Sequence, residues 1–223
     1  MYYMLDCGHS RLTSGKHSPD KKFYEYEYNR IIGRMVAQQL ERLNIQFGFT
    51  YDLDADEDLG RSKRAEAANK VARQLGAKNV LLISIHSNAA GNEGKWMTAR
   101  GWSVYTTVGK TESDEYAEVF YEEAVRICEP KGLSVRKDTS DGDHDWEADF
   151  TVIKKTICPS ILIEEFFYDN KEEMEWLLSD DGKQTCTNII VSAIKRIEGI
   201  KPQAKLSIKR SNEIASTEKQ QSV

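Results

Sequence analysis

Val80-Leu81-Leu82-Ile83-Ser84-Ile85 is apolar and β-branched almost throughout, and His86-Ser87-Asn88-Ala89 follows it directly. A run of this length without alternating polar residues reads as a strand covered on both faces, which places it inside a layered α/β sheet. On either side, strand-like and helix-like segments alternate. Tyr2 to Asp6 and Ile45 to Tyr51 read as strands, and between them Ile31, Ile32, Met35, Val36, Leu40 and Leu43 mark a helix from Glu25 to Leu43. The acidic stretch Asp52 to Asp58 is expected to form a loop and the first turn of the next helix, where carboxylates suit the dipole. That helix runs through Ala65, Ala68, Val71, Ala72 and Leu75 to a stop at Gly76. Further along, Trp102 to Thr107 and Ser160 to Ile163 are strands, and Glu115 to Cys128, Lys171 to Leu178 and Asp181 to Ile197 are helices. The expected architecture is one α/β domain. It has a twisted, mostly parallel or mixed sheet with helices on both faces, of the phosphorylase/hydrolase-like kind.

Composition narrows the function. The 223 residues carry 31 Lys+Arg against 36 Asp+Glu, a net charge of -5, which disfavours a general nucleic-acid binder. No apolar run approaches the roughly 20 residues that span a bilayer, so membrane insertion is not expected. Met1 to Asp6 lacks a basic n-region and an apolar h-region, so no secretory leader is expected. Cys7, Cys128, Cys158 and Cys186 are scattered without a C-x-x-C pair, as free thiols would be. Residues 200–223 turn to Lys, Ser, Gln and Glu and are expected to form a flexible polar tail.

Ligand sites in open α/β sheets lie beyond the carboxyl ends of the strands, and three strand exits carry chemistry. They are Asp6-Cys7-Gly8-His9-Ser10, where glycine allows a turn, then His86 after the apolar strand, and Glu164-Glu165 after Ile161-Leu162-Ile163. Two imidazoles and a carboxylate with an open fourth position are the usual make-up of a hydrolytic zinc site. A second carboxylate supplies the general base. Spacing alone leaves open which of Glu25, Glu27, Glu164 and Glu165 binds and which is the base.

These motifs, in order, resemble the zinc-dependent N-acetylmuramoyl-L-alanine amidases of the type called amidase 3. That family carries D-x-G-H-G, E-x-x-x-N, R-x-x-x-A-N, S-I-H-x-N-A and E-x-x-F-x-x-N. Here stand Asp6-Cys7-Gly8-His9, Glu25 to Asn29, Arg64 to Asn69, Ser84 to Ala89 and Glu164 to Asn170. The resemblance runs from about Met1 to about Ile197, so residues 1–199 are expected to be the catalytic domain. It implies His9, Glu25 and His86 as ligands of Zn2+ and Glu164 as the catalytic glutamate. Glu165 falls at a variable position and reads as a helix-start carboxylate. Ser10 stands where the family usually has glycine, Phe166 where it often has glycine, and Tyr51 where an arginine is common. His17 and His144 read as exposed loop residues, and Trp96, Trp102 and Trp146 as sugar-stacking or core residues.

The implied reaction cleaves the amide between N-acetylmuramic acid and the L-alanine of the stem peptide in peptidoglycan. In it, Glu164 takes a proton from the attacking water and passes it to the leaving amine. Alternatives are another zinc hydrolase, carboxypeptidase-like or deacetylating, and a non-catalytic wall-binding module. A chain made in the cytoplasm without a leader and acting as a monomer on the wall fits a phage or prophage endolysin released through a holin. A secreted mature chain is the other setting.

Overall fold

A computed structural model describes residues 1–55, 59–91 and 94–200. Six strands form one mixed sheet in the order β2-β1-β3-β6-β4-β5. They are β1 (Tyr2–Cys7), β2 (Phe47–Phe49), β3 (Val80–Asn88), β4 (Ser103–Thr106), β5 (Trp146–Glu147) and β6 (Ser160–Phe167). β2, β1, β3 and β6 run parallel, and β4 turns antiparallel to β6 with β5 parallel to β4. The helices are α1 (Glu25–Arg42), α2 (Arg61–Leu75), α3 (Glu112–Cys128), α4 (Thr151–Lys154), α5 (Lys171–Leu178) and α6 (Asp180–Ile197).

Strand alternation divides the core into two layers. Tyr3, Leu5, Ile83, Ile85, Ile161 and Ile163 face α1, α3, α5 and α6, where Ile32, Val36, Phe120 and Ile190 close over them. Met4, Leu82 and Leu162 face the smaller α2 and α4 layer and meet Ala68, Ala72, Val152 and Ile153. The expected α/β sheet with helices on both faces is therefore present, and β3 is buried along nearly its whole length. In α1, Ile32, Val36 and Leu40 recur at i+4 toward the sheet while Ile31 lies 38% exposed, so the apolar stripe is narrower than its sequence suggests.

Helix starts follow local chemistry. Thr111 and Asp114 form a reciprocal capping box on α3, which begins three residues before the expected Glu115. Asn170 caps α5 and Ser179 caps α6.

Several boundaries differ from expectation. β2 is a three-residue edge strand rather than the span Ile45 to Tyr51, because only β1 lies beside it. The first turn of α2 holds no acid, since the helix begins at Arg61 after the acidic run. Of that run, residues 56–58 lie outside the described residues, as do residues 201–223 of the expected tail. β5 and α4 carry too few residues to leave a periodic signal. β6 does not stop at Ile163 but runs on through both glutamates. Glu164 and Glu165 thus point to opposite faces, and Glu165 is fully buried on the α1 and α6 side instead of standing exposed at a helix start.

Phe166 explains how β6 ends. Its φ is 61°, in the left-handed region that costs a non-glycine residue about 1–3 kcal/mol. The family glycine would hold this conformation without strain. Here the phenyl ring is fully buried, edge-on to Trp176 at 4.9 Å, and that burial offsets the backbone cost. The register of β3 with β6 shifts between His86 and Asn88 at the same level.

Candidate active site

The carboxyl ends of β1, β3 and β6 open into a cleft of about 560 Å³ lined by His9, Glu25, His86 and Glu164. β1 passes into it through Gly8, whose N–H donates to the Ile85 carbonyl at 2.9 Å. A Cβ on Gly8 would lie 2.1 Å from the His86 ring, so the glycine is there to clear space for that imidazole. The turn itself falls on His9, with φ 65°. Glu25 is the first residue of α1 and is 1% exposed, and its N–H donates to the Lys16 carbonyl. His86 and Glu164 are register partners on adjacent strands. These four residues, far apart in the chain, therefore come together as the sequence expects.

Glu25 Oε1 is the hub. It lies 3.3 Å from His9 Nε2 and 3.1 Å from His86 Nδ1, and it accepts from the Ser87 N–H at 3.2 Å. Burial alone would raise the Glu25 pKa, but the hydrogen bonds and charges of His86 and His9 override it and hold the carboxyl well below its usual range. Burial lowers the His86 pKa, with Glu25 opposing. One ligand atom from each of His9, Glu25 and His86 lies within 4.8 Å of the others. His86 Nε2 and Glu25 Oε2 are buried without hydrogen-bond partners. Two imidazoles and a carboxylate with donor atoms left over are a set that fits zinc.

Glu164 stands beside this group. Burial, followed by the negative charge of Glu25, pushes its carboxyl well above the usual range, while the ammonium of Lys16 opposes. Lys16 also approaches Glu25 Oε2 at 3.9 Å. Tyr105 on β4 pairs with Leu162 of β6 and lies within reach of the Glu164 charge. Burial and then the charge of Glu164 raise its phenol, with Ser103, Arg136 and Asn88 acting the other way. Sequence reading missed both residues: Lys16 lies in an unpatterned loop, and Tyr105 in a strand whose antiparallel direction no motif announces.

Motif residues without an assigned role prove to be supports. Asp6 is fully buried and accepts from Thr50 Oγ1, Arg64 Nη1 and Ser84 Oγ, each at 2.6 Å. Asn29 donates to the Gly8 carbonyl at 3.2 Å. Asn69 joins α2 to the chain after α4 through Lys155 O and the Ile157 N–H, both at 2.8 Å. Asp169 holds the loop after β3 by accepting from the N–H groups of Ala90 and Gly91. Tyr51, in the place of the common arginine, donates to the Cys7 carbonyl at 2.7 Å. Ser10 closes its own turn by accepting from the Leu12 N–H.

Other expectations resolve individually. Trp102 is fully buried and belongs to the core. The ring of Trp146 lies 4.9 Å from the Arg136 guanidinium, and Trp96 is 37% exposed. His144 is half-buried rather than exposed, because it pairs with Glu118 at 2.8 Å and stacks on Tyr121. His17 is likewise half-buried, with Nδ1 2.8 Å from Ser18 O. All four cysteines are buried and free.

Glu165 has no partner for either oxygen. Burial pushes its pKa well above the usual carboxylate range, and its charge would be felt by Tyr28 and Cys186. A raised folded pKa means that its contribution is fully present below about pH 4.5 and is lost as pH rises through the folded value. Glu165→Leu is therefore expected to stabilise the protein by about 1–3 kcal/mol near pH 8 and by less near pH 5. Thermal melts at the two pH values check it, and an equal or negative shift at pH 8 would refute the account.

The family model for N-acetylmuramoyl-L-alanine amidase matches residues 4–196. The endolysin of Bacillus phage SPP1 is 24% identical over 180 residues, which are 79% of this chain and 58% of that protein. The chain thus spans little more than half the length of that curated relative. Among solved structures, the N-acetylmuramoyl-L-alanine amidase of Clostridium difficile 630 aligns with TM-score 0.74 at 24% identity, covering 90% of this chain and 98% of that one. The catalytic domain of CwlV from Bacillus (Paenibacillus) polymyxa var. colistinus aligns with TM-score 0.72 at 23% identity, covering 90% and 99%. These likenesses concern the fold, while the family match spans all four cleft residues from His9 to Glu164. The chain belongs to the N-acetylmuramoyl-L-alanine amidase family.

Proposed function

We propose that residues 1–199 form a zinc-dependent hydrolase that cleaves the amide between N-acetylmuramic acid and the L-alanine of the stem peptide. The observation that carries this reading is the convergence of His9, Glu25 and His86 within 4.8 Å, beside Glu164 in an open cleft. His9, Glu25 and His86 would hold the zinc. Bound there, it would supply Lewis-acid polarisation of the scissile carbonyl and acidify water. Glu164 accepts the proton of the attacking water and delivers it to the leaving amine. Lys16, next to both Glu164 and Glu25, favours the ionised carboxylates. The Ser87 N–H and the two imidazoles fix Glu25, and Asp6 with Arg64 secures the end of β1 from which His9 projects.

Peptidoglycan is the substrate, and the endolysin relative supports a phage or prophage setting with release through a holin. No helix among the described residues is long and apolar enough to cross a membrane.

The zinc-loaded protein is expected to clear suspensions of purified walls and to release peptides with a new L-alanine N-terminus, leaving the glycan intact. New reducing sugar ends, released acetate or free D-alanine would point to a different hydrolase. His86→Ala is expected to weaken zinc binding by more than the about 10–100-fold typical of outer-shell changes, read by zinc content after dialysis. Full zinc retention would remove His86 from the ligand set.

A further inference from the structure

At the sheet edge farthest from β2, a set of carboxylates takes no part in the hydrolytic cleft. The loop entering β5 reads Asp141-Gly142-Asp143-His144-Asp145, with acids at every second position and Gly142 at φ 111°. Asp145 is 2% exposed. Its Oδ2 accepts from the Thr106 hydroxyl of β4 at 2.6 Å, while its Oδ1 is buried with no hydrogen-bond donor. Asp143 presents a second buried Oδ1 without a donor, and the two carboxyl groups lie within hydrogen-bonding reach of each other. Asp141 lies close enough to Asp143 to act on it, and Asp114 in the first turn of α3 adds its charge to both Asp143 and Asp145. His144 brings no relief, because its Nδ1 is directed to Glu118.

Burying two facing carboxylates without a cation is costly, and both acids are pushed upward, first by burial and then by their acidic neighbours. Either a proton or a metal ion must lie between them. A shared proton satisfies one oxygen and leaves the alternating pattern of Asp141, Asp143 and Asp145 without purpose. A hard cation uses the donorless oxygens of both acids.

We propose that Asp143 and Asp145 bind a divalent cation of the oxygen-liganded class, with calcium preferred, and that Asp141 borders its open side. Among the described residues, the only three-side-chain metal cluster is His9, Glu25 and His86. This second site therefore has two carboxylates, with loop carbonyls and water completing the shell. Calcium tolerates that irregular set, taking six to eight oxygens in flexible geometry. Its structural effect is to pin β5 to β4, beside Trp146, whose ring neighbours Tyr105 on the strand that borders the cleft.

The test uses the full chain with zinc loaded, so that the first site is filled. Terbium(III), a calcium surrogate, is expected to give saturable luminescence sensitised by Trp146, which calcium displaces. Calcium at about a hundred times its Kd is expected to raise Tm by roughly 5 °C. Asp145→Asn and Asp143→Asn are each expected to weaken calcium binding at least about tenfold. Trp146→Phe is expected to abolish the emission but keep the calcium-induced rise in Tm. If the aspartate variants fail to fold, the wild-type displacement and the Trp146→Phe result decide. The proposal is overturned if wild-type protein shows neither displaceable emission nor a Tm shift at about 10 mM calcium, well above the affinities of weak extracellular sites. It is equally overturned if the variant combining Asp143→Asn with Asp145→Asn responds like wild type. Stabilisation of Asp145→Asn at pH 8, with no wild-type response to calcium, would assign a shared proton instead.

Discussion

Glu164→Gln is expected to lower the rate at which new L-alanine N-termini form on purified peptidoglycan by about 10²- to 10⁴-fold, the usual range for loss of a general acid–base group. The substitution keeps the shape of the side chain and removes only its ability to take and return a proton. Glu164 sits on β6 in register with His86, and its Oε2 is buried without a partner. The amide should therefore fit without disturbing Glu25 or the imidazoles. Zinc content is expected to stay at one equivalent and Tm to hold or rise, since burial and the charge of Glu25 both disfavour a carboxylate at this position. Kinetics on a defined muramyl peptide should show the loss in kcat, with KM little changed. Full activity in a zinc-replete variant would rule Glu164 out as the proton carrier. Loss of zinc together with activity would instead make it part of the ligand set.

The second large effect concerns stability. Arg64 is 6% exposed and Asp6 fully buried, and their 2.6 Å ion pair joins α2 to the end of β1. Removing one partner of a buried pair strands the other charge, at a typical cost of about 3–5 kcal/mol. Arg64→Ala leaves Asp6 with only the Thr50 and Ser84 hydroxyls. It is expected to lose that amount in urea unfolding and to lower Tm by roughly 10 °C. Asp6→Asn combined with Arg64→Leu should recover part of the loss, because no uncompensated charge then remains. A loss below about 1 kcal/mol for Arg64→Ala would show that the pair carries little of the stability. Because Asp6 lies three residues before His9, the single variant should also bind zinc less tightly at temperatures where it is still folded.

The sequence was most legible where one signal had one structural meaning. The run Val80 to Ile85 is apolar on both alternating faces, so its burial and its central place in an α/β sheet followed directly. The strand-exit histidines were legible for a related reason. A polar, ligating residue placed directly after an apolar strand has nowhere to project except the open end of the sheet. His9, Glu25, His86 and Glu164 were thus nameable before any geometry was known, with help from the ordered motifs around them.

Glu165 shows where that reasoning stopped. Two adjacent glutamates look like a solvated helix start, and strand alternation sends them to opposite faces only if the strand continues. Whether it continues depends on β3, which pairs with β6 as far as Phe167, and on β4, which pairs with it as far as Glu164. The same holds for Gly8. In sequence it looked like the turn residue, yet the left-handed conformation falls on His9 and the glycine serves a ring 78 positions away.

The ordered family motifs singled out Glu25 and Glu164 among the four candidate glutamates, whereas local pattern by itself determined the layers and the polar strand exits at His9, His86 and Glu164-Glu165. Those depend on periodicities of two and 3.6 and on the direction of the strands. Only the tertiary structure decided that Asp6 is anchored by Arg64, Thr50 and Ser84 and that Lys16 and Tyr105 stand beside Glu164. It alone set Asp145 against the Thr106 hydroxyl of β4. Each of these facts is a contact between segments distant in the chain, set by packing and electrostatics that no single stretch of sequence contains.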